Sequence, residues 1–170
     1  MKKIYILLTA TGTVFAKTIR LYNHTKYSHA SISLDKNCNK MYSFGRTYVN
    51  NPFIGSFQEE QKNKNVFRKF SNIPCELLEI NVTDEQYEQV KEIIKSMEGK
   101  KYNKLGLLCR LLHIPLERKS KYFCSEFVAY TLKESNIYDF HKPLNFVDPH
   151  EFANIPIAKT IYTGNLHSIN

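Results

Sequence analysis

The chain has 170 residues, 42% of them hydrophobic and 13% aromatic. This is enough for one domain (1–170) with its own core and too apolar for intrinsic disorder. Its 24 Lys and Arg against 16 Asp and Glu give a formal charge of +8. That charge attracts anionic partners, but no nucleic-acid-binding motif accompanies it, so nucleic acid is not an expected partner. No apolar stretch approaches the roughly 20 residues that cross a bilayer, so no membrane span is expected.

The N-terminal segment has two readings. Met1-Lys2-Lys3 followed by Ile4 to Phe15 and Ala16 has the outline of a short signal peptide. Thr9, Thr11, Gly12 and Thr13 interrupt the apolar run, which favours a strand over Lys3–Leu8, a polar turn, and an amphipathic helix over Val14–Tyr22. On the second reading the protein is cytoplasmic; on the first it is exported. The cysteines, Cys38, Cys75, Cys109 and Cys124, show no C-x-x-C or other metal spacing, and reduced thiols fit a cytosolic chain.

His29 to Leu34 alternates polar and apolar residues, as a strand with one buried face does. Asp35 to Asn39 has turn chemistry, and Lys40 to Phe44 returns as a second strand that Gly45 ends. Asn50 to Asn65, with Pro52, Gly55 and many polar residues, reads as a long loop, either a lid or the carrier of a short element. Val66–Phe70 and Glu76–Val82 read as strands, the second apolar on both faces. Thr83-Asp84-Glu85-Gln86 is a capping box that opens a helix closed by Gly99. A further helix is expected over Asn103–Leu112. After the basic stretch Arg118–Lys121, a helix starts at Cys124 and runs to about Ser135. Asp148-Pro149 opens a short helix, and Lys159–Thr163 is the last strand. Strand, helix, antiparallel strands and then helices make an α+β order.

The chemistry concentrates on Cys124 and His29. A thiol at a helix N-terminus sits at the positive end of the helix dipole, which favours the thiolate. The backbone N–H groups there can hold an oxyanion. A thiolate nucleophile needs an imidazole within hydrogen-bond reach, and His29 heads a strand from which it could supply one.

Tyr27-Ser28-His29-Ala30-Ser31-Ile32 early in the chain and Tyr122-Phe123-Cys124-Ser125-Glu126-Phe127 late together resemble the circularly permuted branch of the NlpC/P60 superfamily, in which the His strand precedes the Cys helix. Within that branch the resemblance is to the YiiX/YaeF-like permuted papain-like amidases. It implies a papain-like core with an antiparallel sheet packed against the nucleophile helix, Cys124 as nucleophile and His29 as base. It also implies a polar third residue on the strand after the His strand. Lys40 to Phe44 holds no carboxylate, so Ser43 is the expected third catalytic residue, with Tyr42 the other candidate. Tyr27, Tyr42 and Thr11 are the expected substrate-binding residues. Glu126 is expected to serve the first turn of its own helix rather than the dyad.

The resemblance implies a cysteine hydrolase of the amidase or peptidase type, working through a thioacyl enzyme on a small peptide, a peptidoglycan fragment or an acyl-amide. Two alternatives stand beside it: a non-catalytic binding module on the same fold, and a lipid acyl hydrolase or transferase. Asp148-Pro149-His150 is explained by helix capping, and His24, His113, His141 and His167 lack partners at ligand spacing. Neither a metal nor a cofactor is expected.

Overall fold

The structure, a computed structural model, describes residues 1–12, 17, 21, 25–48, 51–103 and 121–169, the side chains of 46–48 and 51–54 excepted. The strands are β1 (Lys2–Thr9), β2 (His29–Ser33), β3 (Met41–Tyr48), β4 (Asn51–Glu60), β5 (Pro74–Val82), β6 (Lys101–Tyr102), β7 (Lys121–Tyr122) and β8 (Ala158–Asn165). The helices are α1 (Asn65–Arg68), α2 (Asp84–Ser96) and α3 (Cys124–Glu134), with short 3₁₀ turns at Leu144–Phe146, Pro149–Asn154 and Leu166–Ser168. The strands form one eight-stranded sheet in the order β7-β6-β4-β3-β2-β1-β5-β8. Every pairing is antiparallel except β6 with β7. The architecture is α+β, a large sheet with few helices.

Both faces of the sheet centre are covered, and β1 shows why its sequence is apolar throughout. Ile4, Ile6 and Leu8 point to a core shared with Val90 and Ile94 of α2 and Phe127, Val128 and Leu132 of α3. Tyr5 and Leu7 point the other way, to a second core with Met41, Phe67, Leu77, Leu166 and Ile169. A strand buried on both sides reads as a continuous apolar run rather than an alternation. β2 carries the same division. Ala30 and Ile32 face the helices. His29, Ser31 and Ser33 stand opposite Thr9, Leu7 and Tyr5 of β1 and so share the face of the second core.

The capping box opens α2 as its sequence requires: Thr83 Oγ1 accepts from the Gln86 N–H, and the Gln86 carboxamide oxygen accepts from the Thr83 N–H at 3.0 Å. Gly99 follows at φ +78°, a left-handed conformation glycine adopts without penalty. In the turn before β3 the Asp35 carboxylate accepts the N–H groups of Asn37 and Asn39.

Three elements differ from the sequence reading. Residues 51–60 form a ten-residue strand rather than a loop or lid. Gly55 stands there because the sheet leaves no room for a side chain: a Cβ would come within 2.7 Å of the Gly45 carbonyl oxygen on β3. Gly45 accordingly does not end β3, which continues to Tyr48. Val66–Phe70 is not a strand, because Asn65 enters at φ 51° and the chain coils into a single helical turn that buries Phe67. Most of the helices expected over 14–22 and 103–112, together with Thr13, His24, Cys109 and His113, lie outside the described residues; residues 17 and 21 are helical and Asn103 is not.

Candidate active site

Cys124 is the first residue of α3, with Phe123 as N-cap in extended conformation. The helix start is held from two sides. The Phe123 N–H donates to the Glu126 carboxylate at 3.2 Å, and the Ser125 hydroxyl donates to the Val147 carbonyl at 2.6 Å. Glu126 therefore serves its own helix turn, and it does so while buried. Beyond the first turn, Phe127, Val128 and Leu132 bind the helix to the core. Each fully buried side chain of this kind contributes about 1.5–3 kcal/mol, so the position of Cys124 follows from a rigid element rather than a loop.

The sulfur meets β2 where that strand parts from β3. The two strands pair only at Ile32 with Tyr42 and Ser33 with Met41. Ahead of these pairs the Ala30 peptide groups take other partners. The Ser43 hydroxyl donates to the Ala30 carbonyl at 2.7 Å, and the Ala30 and Ser125 backbone N–H groups sit near the Cys124 sulfur and favour its thiolate. His29 completes the surround of the sulfur through a side-chain hydrogen bond with it.

On its other side the imidazole meets a carboxylate. His29 Nε2 lies 3.0 and 3.1 Å from the two oxygens of Glu60, at the end of β4. A carboxylate can only accept, so Nε2 carries the proton and donates it, leaving Nδ1 for the sulfur. The Ser31 hydroxyl donates to Glu60 Oε2 at 2.6 Å. The Phe67 ring lies 6.3 Å from the imidazole, centroid to centroid. The side chains of His29 and Glu60 are 16% and 12% exposed, and Cys124 is 8% exposed.

The electrostatics follow from this arrangement. Burial alone would lower the His29 pKa, but the facing Glu60 carboxylate and Cys124 thiolate overcome it and raise it well above the ordinary 6.5. Burial likewise opposes the Cys124 thiolate, but the His29 imidazolium and the N–H groups of Ala30 and Ser125 bring its pKa below 9.0. The other described thiols behave oppositely: burial pushes Cys38 up to about 12 and Cys75 to about 11. All three are free thiols. Cys124 alone among them has a cation and two N–H donors beside it.

The expected residues thus separate. Cys124 and His29 come together. The Ser43 hydroxyl is held by the Ala30 carbonyl, and the side chain that meets the imidazole is Glu60. Tyr42 stands opposite Ile32, on the face away from His29, where its ring stacks near Phe57 at 6.4 Å. Tyr27 is buried in the helix-side core beside His29 in sequence, and Thr11 is buried two residues beyond Thr9, the partner of His29 on β1. Glu60 was hidden in the sequence because its segment reads as a loop. The signal that points to it is the period-two spacing of Ser56, Gln58 and Glu60 before a turn.

With the geometry in place, comparison with known proteins adds the fold. No protein-family model matches the chain, and no curated protein sequence matches it. The crystal structure of metalloprotein yiiX from Escherichia coli O157:H7, DUF1105, superposes on it with a TM-score of 0.61, over 95% of this chain and 97% of that one, at 15% identity. The chain has a YiiX-like fold. At that identity the likeness extends to the path of the backbone and not to the chemistry.

Proposed function

We propose that this protein is a thiol hydrolase of the papain-like, permuted NlpC/P60 type, cleaving amide bonds with Cys124 as nucleophile, His29 as acid and base, and Glu60 as the third residue. The observation that carries this reading is the buried chain of contacts from sulfur to imidazole to carboxylate. The alternative of a non-catalytic module drew its support from the lack of a carboxylate beside His29, and Glu60 removes that support.

The chemistry runs as follows. The Cys124 thiolate attacks the carbonyl carbon, and the oxygen takes the negative charge. The first-turn N–H of Cys124, which has no intrahelical partner, is assigned to that oxyanion. His29 Nδ1–H protonates the departing amine as the C–N bond breaks, leaving a thioester and neutral imidazole. Water then gives a proton to Nδ1 and attacks the thioester carbonyl. The carboxylic acid leaves and the thiolate–imidazolium pair returns. Glu60 keeps the proton on Nε2 throughout.

The structural neighbour is described as a metalloprotein. Among the described residues here, no three His, Cys, Asp or Glu side chains converge as a metal-binding set, and Glu60 already closes on Nε2 of His29. The described residues do not fit a metal, and none enters the steps above.

The substrate class is proposed from the resemblance: the amide of a cell-wall peptide or an N-acyl amino acid. The test is turnover of both, with a lipid ester in parallel, by the protein and by Cys124→Ala. Amide cleavage lost in Cys124→Ala, together with a trapped thioacyl adduct on Cys124 in the parent, is the expected result. Undiminished cleavage by Cys124→Ala would overturn the assignment, and cleavage confined to the ester would move it to the acyl-transfer alternative.

A further inference from the structure

The carboxylate that meets His29 comes from β4, although β3 lies between β4 and β2 in the sheet, and two residues outside the chain of proton transfer make that reach work. The first is Gly45 on β3. A Cβ at this position would stand 3.1 Å from Glu60 Oε1 and 3.9 Å from His29 Cε1. The first distance is tighter than nearly all real Cβ contacts, so a side chain at this position would press on the carboxylate. The second is Ser31 on β2. It is fully buried, and its hydroxyl is spent on Glu60 Oε2 at 2.6 Å rather than on the backbone. Glu60 thus has Oε2 bonded to Ser31 and Oε1 beside the space left at Gly45, with both oxygens within 3.1 Å of Nε2.

We infer that Ser31 and Gly45 are positioning residues, which hold the Glu60 carboxylate on His29 Nε2 and through it set the charge of the Cys124–His29 pair. This rests on the thiol-hydrolase reading for its purpose but not for its measurement. The charged groups facing the imidazole are Glu60 from β4 and Cys124 from α3. The neighbours from α1, β3 and β1, namely Phe67, Gly45 and Thr9, are neutral. A shift in the pair's titration after a change at Ser31 or Gly45 therefore has Glu60 as its route.

The test is a double-mutant cycle read by the pH dependence of Cys124 alkylation with iodoacetamide, which needs no substrate. Ser31→Ala should raise the pH of half-maximal alkylation by roughly half a unit to one unit. The same change in a Glu60→Gln background, where the charge to be positioned is gone, should leave it unmoved. Gly45→Ala, which displaces the carboxylate from the other side, should follow the same pattern and stands in if Ser31→Ala does not fold. Equal shifts in both backgrounds would reduce these residues to packing and overturn the inference. No shift in the parent background, or a parent half-maximum in the ordinary thiol range, would also overturn it. A cycle that behaves as expected in a protein that turns over no amide would sink the hydrolase reading and leave this one standing.

Discussion

At the scale of single residues, the proposed reaction works from a charge pair on Cys124 and His29. The thiolate–imidazolium form exists above the pKa of Cys124 and below that of His29. The first is lowered from 9.0 and the second raised from 6.5, so both shifts favour the thiolate–imidazolium pair over the neutral thiol and imidazole. A bell-shaped profile of kcat/KM is expected, with the acid limb belonging to the thiol and the basic limb to the imidazole. Glu60→Gln removes the larger of the two influences that raise His29. Its basic limb should move to lower pH, and the height of the bell should fall as the neutral thiol and imidazole displace the ion pair. A basic limb that stays in place in that variant would separate Glu60 from the chemistry.

At the scale of elements, the site depends on how tightly β3 and β4 approach each other. Gly55→Ala places a Cβ 2.7 Å from the Gly45 carbonyl oxygen, and a backbone atom cannot step aside as a side-chain tip can. A loss of about 1–3 kcal/mol is expected, read as a lower urea midpoint. Thr83→Ala, which breaks the α2 capping box far from the sulfur, should cost about 1 kcal/mol by the same measurement while leaving the alkylation profile of Cys124 in place. These two elements also mark where the sequence was legible. The capping box, the His29 strand and the Cys124 helix announce themselves through local chemistry: a side chain satisfying an adjacent N–H, or a periodicity read within one element. β4 does not. Its Pro52 and Gly55 carry the local signature of a loop, and only its pairing with β3 makes it a strand. Ser43 was the natural third residue on the strand adjoining His29, but the opening of the β2–β3 ladder gave its hydroxyl to Ala30, an event no single-strand pattern encodes.

At the scale of the whole molecule, the sheet has a core on each face, and the site draws on both. Cys124 arrives with the helix-side core, whereas His29, Ser31 and Glu60 belong to the opposite face with Phe67. Phe127 anchors the first of these, fully buried with its ring 5.7 Å from Phe44 and 5.4 Å from Phe57. Phe127→Ala should cost about 3–5 kcal/mol in urea unfolding. The meeting of the two faces at the gap between β2 and β3 has a further consequence. In that gap the Ala30 N–H is near the sulfur and favours its charged form. On the proposed reaction, thioester formation would turn a charged acceptor into a weak neutral one, and the Ala30 amide would report the covalent state of the sulfur. Its proton resonance should move upfield, and its exchange with solvent should quicken, when the sulfur is acylated, and both should return on hydrolysis, letting each half of a catalytic cycle be followed from one backbone position.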